Sequence, residues 1–464
     1  MKQNYEKGIL IVLCANLINM FISLVTNFIL PRYLSIEAYA TIKTFQLYVS
    51  YIGLFHLGYS DGLYLRYGGK SIKELDKNTI NLSISTMLYF QIFVAIVVAI
   101  YAILNRNIIL IIFSLDIIGF NLIGVFKNIY QAIGEFKRYA NITQVVAVIN
   151  FIINIAFIFI VKTDNAIYYI LGYTIVDIVV FLYLEYDLKK TLKIGKLQLR
   201  FSLTELITNI KDGILLLFGN LTSIILMSMD RWFTKIYMYA VDFAHYSFAV
   251  SVENLLNVAI TPVSITLYNY LCNNQEKDKI RKIQTAIIIF SSLIVFFAFP
   301  VKFIVCKFIN KYEGAMIVIV ILFATQFFSI VIQSIYVNLY KAQKRQKKYF
   351  MEVVFVIIIG FILNESFFHV YKYKESFAFG TLISNFIWFI LCQLDFKDLR
   401  LNSKEILYLF MELIAFLYFS LYMTTLIGAI CYVFVTLILY FTLLRKETDW
   451  IIRRVIWFIK NYRI

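Results

Sequence analysis

The chain has 464 residues, of which 61% are hydrophobic and only 16% charged, with a mean hydropathy of +0.78. Soluble domains run nearer 45–50% apolar and about 25% charged, so a soluble globular protein is excluded, as is a disordered or collagen-like chain. A membrane-crossing helix needs roughly 20 apolar residues, which leaves room for about fourteen such helices and none for a sizeable soluble catalytic domain. The formal charge of +16 would suggest nucleic acid in a soluble protein. In a membrane protein it points to basic cytoplasmic loops, and no nucleic-acid partner is expected. Five scattered cysteines without a CxxC, and three isolated histidines, give no disulfide framework, metal site or cofactor site.

The first apolar run, 8–30, follows Lys2 and Lys7 and is too long for a signal-peptide core, so it reads as a retained first span. Further runs follow at 38–59, 80–103, 108–130, 140–161 and 166–186. A basic, amphipathic stretch at 187–204 divides the chain. Then come 205–229, 241–270, 283–301, 314–340, 348–369, 376–394, 405–423 and 426–444, which makes fourteen. Pro300 is expected at the end of the ninth span. With the N-terminus inside, 33 of the 44 basic residues fall on the inner side, as the positive-inside rule requires. Both termini are therefore expected in the cytoplasm. The tail 445–464 carries Ile451, Ile452, Val455, Ile456 and Ile459 on one face and basic residues opposite, a pattern suited to an anionic leaflet or simply to fixing topology.

A shift of 204 residues aligns the first two spans with the seventh and eighth without a gap. Asn16, Asn19, Ser23, Thr26 and Asn27 form one polar stripe about 100° wide on the first span. The shift carries them to Asn220, Ser223, Met227, Asp230 and Arg231. In the second span Lys43, Gln46, Ser50 and Gly53 map to Ser247, Val250, Asn254 and Asn257. Polar stripes at membrane depth face protein or water rather than lipid. The expected architecture is all-α and polytopic: two pseudo-symmetric six-helix bundles, 1–186 and 205–396, the linker 187–204, accessory helices 397–444 and the tail. Six helices per half relate the bundles by an axis along the membrane normal, as in rocking transporters. The stripes then line a wet central cleft, or they only join helices to one another.

Charged residues inside spans need a reason. Lys43 and Arg231 suit an anionic head group, or each forms an ion pair with a neighbouring helix. Asp116, Asp177 and Glu253 are candidates for a coupling H⁺ or Na⁺, or they offset nearby bases. Asp230 serves either a gate or the binding site, and Glu412 lies outside the repeated helices. Pro262 and its repeat partner Gly58 are expected to bend the eighth and second spans at matching heights. GGKSI (68–72) lacks the first glycine of a P-loop because position 64 is Tyr64, and no GxSxG or HExxH occurs, so no catalytic residues are proposed.

Four stretches are similar to one family: LGYSDGLYLRYGGK (57–70), MDRWFTKIY…AHYSFAVSVENLL (229–256), YQAIGEFKRYANI (130–142) and YKAQKRQKKYF (340–350). They resemble the bacterial polysaccharide (O-antigen, Wzx-type) flippases of the MATE-like multidrug/oligosaccharidyl-lipid/polysaccharide exporter superfamily. The resemblance implies transport of an undecaprenyl-pyrophosphate-linked oligosaccharide across the cytoplasmic (inner) membrane by alternating access. It implies work beside a polysaccharide polymerase and chain-length machinery. It assigns the cationic cavity to Lys43 and Arg231, and matches Asp230 with Arg231, and Asp61 with Arg66, to the family's polar turns. Asn16, Asn19, Asn27, Gln46, Asn220, Asn254 and Asn257 complete the expected substrate surface. Alternatives are a MATE-type drug or metabolite antiporter, a lipid II flippase, or an integral-membrane glycosyl- or acyltransferase.

Overall fold

The computed structural model describes residues 2–70, 74–192, 200–273 and 276–445. The side chains of 2–16, and of 189, 191, 192, 258, 269 and 273, lie outside that description, so it does not reach the side chain of Asn16. Most of the linker (193–199) and the amphipathic tail (446–464) also lie outside the described residues.

All regular structure among the described residues is helical, as the composition requires of a chain that must satisfy its backbone within lipid. The helices are α1 (Lys2–Tyr33), α2 (Ile36–Val49), α3 (Tyr59–Tyr67), α4 (Lys77–Leu104), α5 (Ile108–Ala132), α6 (Phe136–Ile155), α7 (Ala166–Leu192), α8 (Leu203–Tyr237) and α9 (Ala240–Glu253). They continue as α10 (Asn257–Asn273), α11 (Lys277–Val295), α12 (Ala298–Phe308), α13 (Met316–Val331), α14 (Val337–Ala342), α15 (Gln346–Val370), α16 (Glu375–Asp395), α17 (Ser403–Tyr422) and α18 (Thr425–Leu443). The chain packs as two compact units, Met1–Ser228 and Met229–Ile464.

Each expected apolar run coincides with helix. Among the described residues, eleven helices are long and apolar enough to cross a membrane, or up to twelve if Ala240–Leu256 and Ala259–Cys272 form one bent span. The described apolar part of α1, Leu17–Tyr33, is shorter. The second run is broken: a 3-10 turn at Ile52–His56 leads to Leu57 and Gly58, both left-handed, before α3 begins. Glycine fits there because it has no Cβ to clash at positive φ. The eighth run bends by 46° just before Pro262, whose ring opposes the carbonyl four residues earlier. The bends therefore fall at related places in the two repeats. The Pro300 expectation is corrected. The ninth run breaks after Val295, and Pro300 sits in the first turn of α12, where its missing N–H costs no helical bond.

Packing within the two units follows one pattern. In the first, α5 packs on α4 and α7, and α6 on α7. In the second, α13 packs on α11 and α16, and α15 on α16. The turns after α5 and α14 are the same motif. The N–H of Glu135 donates to the carbonyl of Tyr130 at 2.8 Å, and that of Arg345 to Tyr340 at 2.8 Å. Each turn is closed by a left-handed residue, Gly134 in one and Lys344 in the other. Arg138 then pairs with Asp187 at the end of α7, and Lys348 pairs with Asp395 at the end of α16.

Candidate functional site

In the first unit, α1, α2, α5, α6 and α7 enclose a cavity of about 480 Å³. The polar stripe of α1 supplies Ser23, Thr26 and Asn27, and α2 supplies Gln46. Asn150 and Asn154 come from α6, and Tyr173 and Asp177 from α7. Asp116 and Lys127 stand about three turns apart on one face of α5. Asp116 is 2% exposed and Asp177 8%. Their carboxyls interact directly.

Gly119 explains the pairing. A Cβ there would meet the backbone of Asp177 and Ile178 at 2.8 Å, so α5 and α7 touch backbone to backbone one turn from Asp116. The glycine brings two carboxyls together that any larger residue would separate. Lys127 lies on the same cavity, within electrostatic range of Asp177, with its ammonium 5.7 Å from the Tyr139 ring centre. Tyr173 donates to Asn154 Oδ1. Asp116 Oδ1 and Asn150 Oδ1 are buried and accept no hydrogen bond. The cavity wall thus carries two carboxyls, one ammonium and two buried side-chain oxygens without hydrogen-bond partners.

Lys43 is 9% exposed, with its ammonium 5.2 Å from the ring centre of Tyr39, one turn earlier on α2. Asn19 is half-buried and its Oδ1 accepts no hydrogen bond. Asn220, Asn254 and Asn257 are exposed, and Asn257 donates to Asn254 at 3.2 Å.

The second unit holds a smaller polar cluster. Tyr246 donates to Asp230 Oδ2 at 2.8 Å, and Gln326 to Glu253 Oε1 at 2.6 Å. Asp230 also accepts the backbone N–H of Arg231 at 2.7 Å. Arg231 Nε is buried without a hydrogen-bond partner. Asp230 and Arg231 occupy the repeat positions of Thr26 and Asn27, so the two clusters stand at related places within their units.

The polar turn after the second run also has a partner. Arg66 pairs with Glu205 at the start of α8, and Glu205 accepts from Ser83 at 2.6 Å and Asn209 at 2.9 Å. Asp61 Oδ2 is buried without a hydrogen-bond partner. Beside it α3 and α8 are in backbone contact: a Cβ on Gly62 would lie 2.1 Å from the Asn209 carbonyl, and one on Gly213 2.0 Å from that of Gly58.

Sequence reasoning had isolated Asp116, Asp177, Asn27 and Gln46, and the fold gathers all four at one cavity. It passed over Asn150, Asn154 and Glu205. The shared helix face of Lys127 and Asp116 is legible in the sequence, although no role for Lys127 followed from it; the two asparagines of α6 carried no signal stronger than their polarity. Among the described residues, no group of three or more His, Cys, Asp and Glu is placed to hold a metal ion.

No family profile matches the chain, and no curated protein matches it by sequence. Solved structures do. The lipid II flippase MurJ in an inward-closed conformation gives a TM-score of 0.66 at 15% identity, covering 94% of this chain and 99% of that one. The fold is MATE-like. An inward-facing multidrug resistance transporter of the MATE family, in the MOP superfamily, gives 0.58 at 13% identity, covering 82% and 95%. Both neighbours are transporters rather than enzymes. This chain is a multi-pass membrane protein built on their MATE-like plan.

Proposed function

We propose that the protein is a flippase carrying an undecaprenyl-pyrophosphate-linked oligosaccharide from the inner to the outer leaflet of the bacterial cytoplasmic membrane. It works by alternating access, coupled to H⁺ or Na⁺ at the cavity of the first unit. The observation that carries the coupling is the buried pair Asp116 and Asp177 with the half-buried Lys127 on the same cavity. Two carboxylates and one ammonium leave one uncompensated negative charge, which is costly at membrane depth. One proton or one monovalent cation removes that cost. Binding and release of a single positive charge can therefore bias the conformation of the unit. Lys43 and Arg231 are assigned to the pyrophosphate, with Asn16, Asn19, Asn220, Asn254 and Asn257 along the sugar path. Asp230 and Glu253 are assigned to gating. A polysaccharide polymerase and chain-length machinery would receive the flipped product. Both termini are placed in the cytoplasm.

The test is translocation of a lipid-linked oligosaccharide in proteoliposomes, with a proton or sodium gradient imposed. Wild type is expected to respond to one gradient, and Asp116→Asn and Asp177→Asn to lose that response. Translocation by both variants that follows the gradient as wild type does would overturn the coupling assignment. A second reading, a lipid II flippase, is favoured by the likeness to MurJ. Lipid II moving in place of the oligosaccharide in the same vesicles would select it. A MATE-type antiporter would instead move a soluble cation and neither lipid.

A further inference from the structure

The end of α14, the turn after it and the start of α15 hold five basic residues in eight positions: Lys341, Lys344, Arg345, Lys347 and Lys348. The acid Asp395 accounts for two of them, pairing with Lys348 and, at 3.3 Å, with Arg345. Arg345 also stacks over the Tyr340 and Phe396 rings, 5.4 and 5.1 Å from their centres. Lys341, Lys344 and Lys347 are all exposed, and among the described residues none of them pairs with a carboxylate.

Two features set these lysines apart from ordinary loop charge. Lys344 has φ +56°, a conformation in which a side chain is strained, while Gly134 holds the equivalent place in the first unit. The turn works with glycine, yet here it carries a lysine. Lys347 also stands at the head of a stripe on α15. Met351, Phe355, Ile358 and Ile362 follow it at i+4, i+8, i+11 and i+15, and all are exposed. An exposed apolar stripe on a span faces acyl chains, so the lysine that ends it stands at headgroup depth.

We propose that Lys341, Lys344 and Lys347 form a binding site for the phosphate headgroup of an anionic membrane lipid, whose acyl chains lie along the α15 stripe. The site is separate from the cavity of the first unit and does not depend on which cargo is carried. Each lysine near an anionic surface is worth about fivefold in affinity.

The experiment titrates the full-length protein in neutral detergent with short-chain phosphatidylglycerol, short-chain phosphatidylcholine and inorganic phosphate. Wild type is expected to prefer phosphatidylglycerol, with a preference that falls as salt rises. Lys344→Gly is expected to raise the melting temperature, because strain is relieved, and still to weaken phosphatidylglycerol binding about fivefold. Lys341→Gln with Lys344→Gln and Lys347→Gln is expected to weaken it about 100-fold. The proposal is overturned if the triple variant binds phosphatidylglycerol as wild type does, or if phosphatidylcholine binds equally well. It is also overturned if inorganic phosphate matches phosphatidylglycerol in affinity, since the acyl stripe then contributes nothing. Lys344→Gly separates the site from the fold: a variant that is more stable and yet binds less cannot owe its loss to unfolding.

Discussion

Gly119 and Gly124 lie on one helix beside one cavity, and replacing each by alanine isolates what the α5–α7 contact does. At Gly119 the added methyl would sit 2.8 Å from the Asp177 carbonyl carbon and the Ile178 nitrogen, and 3.1 Å from Asp177 Cβ. Carbon atoms pack at about 3.5–4.0 Å, so the helices must separate by roughly 0.7–1.2 Å. The opposing atoms are backbone, which cannot rotate away. Overpacking of this kind costs about 1–3 kcal/mol. Gly124→Ala adds the same methyl into open space, with nothing within 4 Å. That change removes a helix-interior glycine and is expected to be neutral or to stabilise by about 0.5–1 kcal/mol. Thermal unfolding in detergent and gradient-driven transport in vesicles measure the two effects. Gly119→Ala is expected to lower the melting temperature and to lose gradient-driven transport, because Asp116 and Asp177 part. Gly124→Ala is expected to do neither. Equal behaviour of the two variants would refute the claim that backbone contact at Gly119 builds the carboxyl pair.

Gly62→Ala is expected to destabilise by about 1–3 kcal/mol, because its methyl would meet the Asn209 carbonyl at 2.1 Å; a melting temperature equal to wild type would count against the α3–α8 contact. Glu205→Ala removes the common acceptor of Arg66, Ser83 and Asn209, and a loss of about 1.5–3 kcal/mol in detergent melts is expected. Asp76 caps α4, and its hydrogen bonds from Thr79 hold its carboxyl below the usual range. A group with a depressed folded pKa stabilises above its unfolded pKa and loses that contribution as pH falls through the folded one. Asp76→Ala is therefore expected to lower the melting temperature at pH 7, with a gap that closes below the ordinary carboxylate range. A cysteine at Asn165 and one at Lys404 are expected to react from opposite faces of the membrane; labelling from one face would overturn the orientation.

The helices were legible because lipid leaves the backbone no alternative, and apolar runs of sufficient length declare themselves. Breaks inside them were half legible. Pro262 and Gly58 marked real bends, while Pro300 proved to open a helix, since proline fits a first turn as well as it ends a span. The candidate site divides in the same way. Asp116 and Asp177 stood out because charge at membrane depth is expensive. That they face one another could not be read from either helix, for it depends on Gly119 touching α7. Lys43 was equally conspicuous, and its charge said nothing of burial; the fold leaves it 9% exposed, beside Tyr39 on the same helix. Glu205 drew no notice in the sequence, and the fold places Arg66 against it. Composition and hydropathy thus determined by themselves that the chain is a helical membrane protein, because that property follows from transfer of single segments out of water. Which polar groups meet was decided by tertiary packing, where close approach at a few glycines sets the neighbours of each charge.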